Sequence, residues 1–298
     1  MIGESAAVSP FRRPLGVTLY FASHVVAALL LALPTSALVA GTGVGRFPEG
    51  DRSLFQPGGI VAAEVARQIM PTLPAHFASS LAAGTLVAML LTLPHAALLV
   101  TLSERERAAQ RSVWGRAVGH VPTLVSLSGL ALLAQVIVLF ATSSLAAALD
   151  DSLRGATERS ADLASLAVFA LGLVASIVLG LVRDLGRAAA VRDGLAGKAA
   201  LLAGFRAFAG APGRALLGWL TPALAGVALV AVGAALTTLF DVSRPGNFRV
   251  LAVFVLHQAI AFALCFCRAF WLAASLGIVA RTSSQGAFDA QAPSIARR

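Results

Sequence analysis

Six stretches of the chain are apolar almost without interruption: about 15–40, 77–102, 121–149, 163–182, 216–240 and 250–271. A helix needs about 20 apolar residues to cover a hydrocarbon core roughly 30 Å thick. The stretches lack the alternation of barrel strands, and an open sheet would leave backbone groups unpaired in lipid, so the pattern predicts helices. The sixth apolar pattern continues to Ala280, which predicts a helix running past the bilayer. The expected fold is all-α: a polytopic membrane protein whose single domain, 1–282, is a bundle of six transmembrane helices. Residues 283–298 are expected to form a disordered tail.

The segments between the spans predict two further helices. Ile60 to Met70, between prolines, has helical spacing and sets Glu64 and Arg67 one turn apart, which predicts a short helix on the outer side. After the fourth span, Leu195, Leu202, Phe205 and Phe208 form an apolar stripe flanked by Lys198 and Arg206. That is the pattern of a cytoplasmic helix lying in the membrane interface with its basic groups at lipid headgroups. Gly210, Pro212 and Gly213 end it. Arg183, Arg187, Arg192, Lys198 and Arg206 are therefore the candidate contacts for headgroups or for a cytoplasmic or membrane protein partner. Between the second and third spans, Glu104 to Arg107 mixes charges as a solvated segment does, and Trp114 suits the headgroup level.

Composition agrees with lipid as the main solvent. Of 298 residues, 58% are hydrophobic and 12% charged, with a mean hydropathy of +0.83. Soluble domains carry about 25% charged residues. The net charge of +9 does not imply nucleic acid, because the basic residues follow membrane topology. With the N-terminus inside, inner segments hold fifteen of the 23 basic residues and outer segments seven, Arg268 being the remaining one. Each inner loop also outnumbers the outer loop before it, so both termini are expected in the cytoplasm of a bacterial inner-membrane protein. Arg12 and Arg13 before an apolar run, with Ser36, Ala37 and Ala40 after it, also suit a signal peptide. The run exceeds the roughly 7–15 residues of a signal core and five spans follow, so an uncleaved first helix is expected.

Within the spans, chemistry is sparse. No Asp, Glu or Lys occupies the middle of any span, and Arg268 is expected to snorkel to the headgroups. The polar residues at depth are His24, Gln135, His257 and Gln258; the last three are a candidate polar cluster. Pro34, Pro94 and Pro222 predict kinks, and Gly172, Ser176 and Gly180 form a small-residue stripe suited to close helix packing or a dimer face. Cys265 and Cys267 point to different helix faces, which disfavours a disulfide between them. Asp150 and Asp151 read as a solvated outer turn. The chain has no P-loop, no zinc-protease or nucleophile-elbow motif and no paired carboxylates at a membrane boundary. No cofactor, metal or catalytic residue is therefore expected, and the chain is read as no enzyme.

Phe11-Arg-Arg-Pro14 before the first span, Arg183-Asp-Leu-Gly-Arg187 leaving the fourth and Arg268-Ala-Phe-Trp271 closing the last are three short motifs. In their order the chain resembles a loose group of uncharacterised six-span bacterial inner-membrane proteins, a resemblance that implies no activity. Ala188-Ala-Ala-Val-Arg-Asp-Gly194 is similar to the coupling segment of permease subunits of ATP-driven transporters. It departs from that segment in having Ala188 at the glutamate position and in the late placing of Pro212. The expected function is a non-enzymatic scaffold or accessory subunit; the alternative is a permease-like subunit.

Overall fold

The computed structural model describes residues 7–41, 59–71, 73–103, 110–152, 158–239 and 247–295. After a 3-10 turn at Pro10–Arg12 the described residues form eight helices: α1 (Pro14–Gly41), α2 (Ile60–Ile69), α3 (Leu73–Ser103), α4 (Gln110–Ser152), α5 (Glu158–Asp193), α6 (Gly197–Gly210), α7 (Pro212–Leu239) and α8 (Asn247–Ile295). No strand occurs among the described residues. Six helices among them are long and apolar enough to cross a membrane: Pro14–Leu33, Ser80–Ser103, Val113–Leu149, Asp162–Asp193, Pro212–Leu239 and Phe248–Ser284. The architecture is that of an all-α, multi-pass integral membrane protein. The mixed-charge segment 104–107 lies outside the described residues.

Several helices outrun the spans read from hydropathy, because backbone hydrogen bonding continues where the apolar pattern stops. α4 starts at Gln110, so Trp114 and Pro122 sit inside it, and it runs through Asp150 and Asp151, where a turn is expected from the sequence. α5 runs unbroken through 183–193, and α8 continues to Ile295, through most of the segment expected to be a disordered tail. At the start of that extension, Ser283 and Ser284 donate to the carbonyls of Val279 and Ala280 one turn back, which keeps their hydroxyls satisfied within the helix. α5 ends at a break where Gly194 and Gly197 take φ of +67° and +49°, a left-handed region that favours glycine. Pro212 then opens α7, where a missing N–H costs nothing.

The chain divides into two compact units. Unit 1 comprises Met1–Pro14, Ala96–Ala225 and Phe266–Arg298; unit 2 comprises Leu15–His95 and Gly226–Cys265. In unit 1, α4 and α5 pack antiparallel. The Gln135 amide donates to the Ser176 carbonyl at 3.2 Å, and a Cβ on Gly172 would collide with the Thr142 methyl. Gly172 and Ser176 of the small-residue stripe thus face α4. α6 folds back on α5 so closely that a Cβ on Gly204 would lie 2.5 Å from the Gly186 nitrogen and the Val182 oxygen. Ala200, Gly204 and Ala207, one face of α6, are buried there. The face carrying Leu202 and Phe205 is the exposed one.

In unit 2, α1 meets α3 and α8 through aromatic pairs. Tyr20 tilts against His95 at 6.0 Å, and Phe21 meets the edge of Phe262 at 5.2 Å. α7 lies along α8, where a Cβ on Gly226 would approach Leu264 and one on Gly233 would strike Ile260. Few large side chains of unit 2 are buried; those that are include Val17, Tyr20 and Val87. Lipid is as apolar as leucine, so membrane helices associate through close packing rather than through a drive to hide apolar surface.

Candidate functional site

The buried charge of the described residues converges on Asp184 of α5, whose side chain is only 3% exposed. Helical spacing sets it on the same inward face as Leu181, Leu185 and Ala188, all fully or almost fully buried. A lone carboxylate there would cost several kcal/mol of lost hydration. Four donors from two helices offset that cost. One oxygen accepts from Arg183 Nε at 3.1 Å and Arg187 Nη1 at 3.4 Å; the other accepts from Arg268 Nη1 at 2.8 Å and Trp271 Nε1 at 2.9 Å. Arg268 and Trp271 lie one turn apart on α8, so a single helix face grips the carboxylate with a cation and an indole N–H. Both carboxylate oxygens are fully occupied, and the cluster holds three cations to one anion.

The same junction gathers other elements of unit 1. Arg187 also donates through Nη2 to the Ser128 hydroxyl of α4, and Ser128 in turn donates to the Leu124 carbonyl. At the far end of α5, Arg192 pairs with Asp193 at 3.3 Å, while the Ser283 hydroxyl of α8, shared with the Val279 carbonyl, also reaches Asp193 at 3.3 Å and accepts from Arg192. Ahead of α1, Phe11 stacks on Phe266 at 5.6 Å and meets Phe270 edge-on at 5.1 Å. The Val8 amide donates to the Leu102 carbonyl at 3.0 Å, tying the N-terminal segment to the end of α3. The three short motifs of the sequence, around Phe11, Arg183 and Arg268, therefore belong to one assembly of α5, α8 and the N-terminal segment. Comparison of the chain with family models, curated proteins and solved structures finds no match.

The candidate residues of the sequence separate by their surroundings. Arg183 and Arg187 turn inward to Asp184, and Arg192 is engaged with Asp193 and Ser283. Lys198 and Arg206 stay exposed on α6. Arg268 is a correction: it is held by Asp184 instead of snorkelling, because a buried carboxylate competes better than water for its guanidinium. Gln135 spends its amide on Ser176 within unit 1. His257, within unit 2, places Nε2 3.3 Å from the Thr237 hydroxyl, and the neighbouring Gln258 is half-buried. Gln135 and the His257–Gln258 pair thus belong to different units. Among the described residues no three His, Cys, Asp or Glu side chains come together as a metal site.

Asp184 and Trp271 are the central residues that the sequence did not single out as a site. The usable signal was present. Asp184 is the only acid between 163 and 192, and a helix extended past Val182 carries it onto the apolar face. His95, buried beside Tyr20, was equally hidden among apolar neighbours.

Proposed function

We propose that the chain is a non-enzymatic scaffold or accessory subunit of a bacterial inner membrane, with both termini in the cytoplasm. The observation that carries this reading is the occupancy of Asp184. A carboxylate with each oxygen already taken by two donors has no acceptor left for a substrate, and its role is to fix α5 against α8. Two polar groups within the spans are likewise engaged: Gln135 with Ser176, His257 with Thr237. The segment similar to a permease coupling motif argues in the same direction, since Ala188, Ala189 and Ala190 are wholly buried and present nothing to an ATPase. What faces outward is α6, with Lys198, Leu202, Phe205 and Arg206.

The test is affinity purification of the intact chain from its own membranes in mild detergent. A stable partner should be retained, and reversing the charge with Lys198→Glu and Arg206→Glu should release it. Recovery of an ATPase would overturn the scaffold reading in favour of a permease-like subunit; retention that ignores the α6 variants would remove the cytoplasmic face as its basis.

A further inference from the structure

In unit 1, the junction of α6 and α7 and the last turns of the apolar part of α8 enclose an open cavity of about 440 Å³. Gly210 and Gly213 contribute no side chains to its wall, and the charged groups lining it are Arg214 and Arg281. Among the described residues no acidic side chain lines it. This is unlike the buried charge cluster of the unit, where Arg183, Arg187 and Arg268 share Asp184 and Arg192 has Asp193. Neither Arg214 nor Arg281 has a carboxylate partner among the described residues. Thr282 adds no donor, since its hydroxyl is spent on the carbonyls of Ile278 and Val279. Among the described side chains the ligand chemistry is therefore set by the two guanidinium groups.

Two guanidinium groups on one cavity select an anion with several acceptor oxygens, because each planar fork donates two parallel N–H bonds to such a group. Position narrows the choice further. Arg214 is the third residue of the membrane-length stretch Pro212–Leu239, and Arg281 lies within the last turn of Phe248–Ser284. Arg214 is thus at the start of an apolar helix, where a bilayer places its phosphates, and Arg281 shares its cavity from the part of α8 that runs past the bilayer. The volume also exceeds what a bare phosphate fills and leaves room for the group esterified to it. We propose that this cavity binds a phosphate group, that of an anionic lipid headgroup or of a soluble phosphate, with Arg214 and Arg281 as its charge partners.

The proposal is tested on the full chain in mild detergent, stripped of lipid. One arm adds phosphatidylglycerol or phosphate-free diacylglycerol and counts retained lipid by native mass spectrometry. The other compares thermal unfolding in inorganic phosphate and in chloride at equal ionic strength. Wild type should retain phosphatidylglycerol over diacylglycerol. The double variant Arg214→Gln, Arg281→Gln should lose at least about tenfold in affinity, the scale of one charge-assisted hydrogen bond. Arg67→Gln on α2, which removes the same charge elsewhere, should lose none. Stabilisation of wild type by inorganic phosphate, absent in the double variant and without lipid preference, assigns the soluble source. Wild type showing no preference in either arm overturns the proposal whether or not the variants fold, as does an equal loss in Arg67→Gln. Should the double variant fail to fold, each single variant is read by the same criteria.

Discussion

Glu64 of α2 and Asp184 of α5 each carry an arginine three residues along the same helix, so locally they are the same device. Arg67 meets Glu64 as a bidentate pair, at 3.0 and 2.9 Å, and Gln68 adds a third bond at 3.1 Å. By contact geometry it is the better of the two, since Arg187 reaches Asp184 only at 3.4 Å. Yet the Arg67 and Glu64 side chains are 78% and 45% exposed, against 11% and 3% for Arg187 and Asp184. Water solvates the outer pair whether or not it forms, so an exposed pair is worth little. The inner pair has no water to fall back on, and every donor it loses must be paid for in uncompensated charge. Burial, not contact length, sets what each arginine contributes.

Three measurements break or sharpen that contrast. The largest effect is expected from Asp184→Ala, which leaves three guanidinium groups and an indole facing one another without their acceptor. Unfolding of the purified protein in detergent micelles should show a loss of about 3–5 kcal/mol, the usual cost of removing one member of a buried ion cluster. A stability equal to wild type would mean that water reaches the cluster and that the contrast with α2 is false.

Trp271→Phe is next, because it keeps an aromatic ring against Gly218 and removes only the N–H donated to Asp184. A hydrogen bond to a charged group contributes about 1.5–3 kcal/mol, so the same assay should register a smaller loss. If Trp271→Phe costs as much as Asp184→Ala, the indole rather than the arginines holds the carboxylate.

The smallest effect belongs to Glu64→Ala, which should leave the melting temperature unchanged. The bonds from Arg67, then Gln68, hold the Glu64 carboxyl below its ordinary range. Any contribution is therefore present at neutral pH and lost as pH falls through that lowered value, and salt should screen it. A salt-resistant drop in melting temperature would show that α2 is buried against something in the membrane-embedded protein.

The legibility of these regions follows the range of their interactions. The α2 pair could be read from Glu64 and Arg67 because both partners lie within one turn. The arginine-rich segment at 183–192 is legible by its charge, but its orientation is not, since that depends on Arg268 and Trp271, more than 80 residues from Asp184. On α6 the eye is drawn to Leu202 and Phe205, whereas the packed face is Ala200–Gly204–Ala207. Close helix approach selects small residues, and a small residue in an alanine-rich chain carries almost no signal.

By itself the sequence determined the all-α architecture with its six membrane-length helices, and the short helix at Ile60–Ile69. These are local consequences: lipid offers the backbone no partner, so each apolar run must satisfy its own hydrogen bonds as a helix. Only the tertiary structure decided that Asp184 is buried, that Arg268 serves it, that Phe11 packs on Phe266 and Phe270, and that Arg214 and Arg281 share a cavity. Each of those depends on which helix faces which at separations of tens to hundreds of residues, and hydrophobic periodicity within a single helix holds no record of its neighbour.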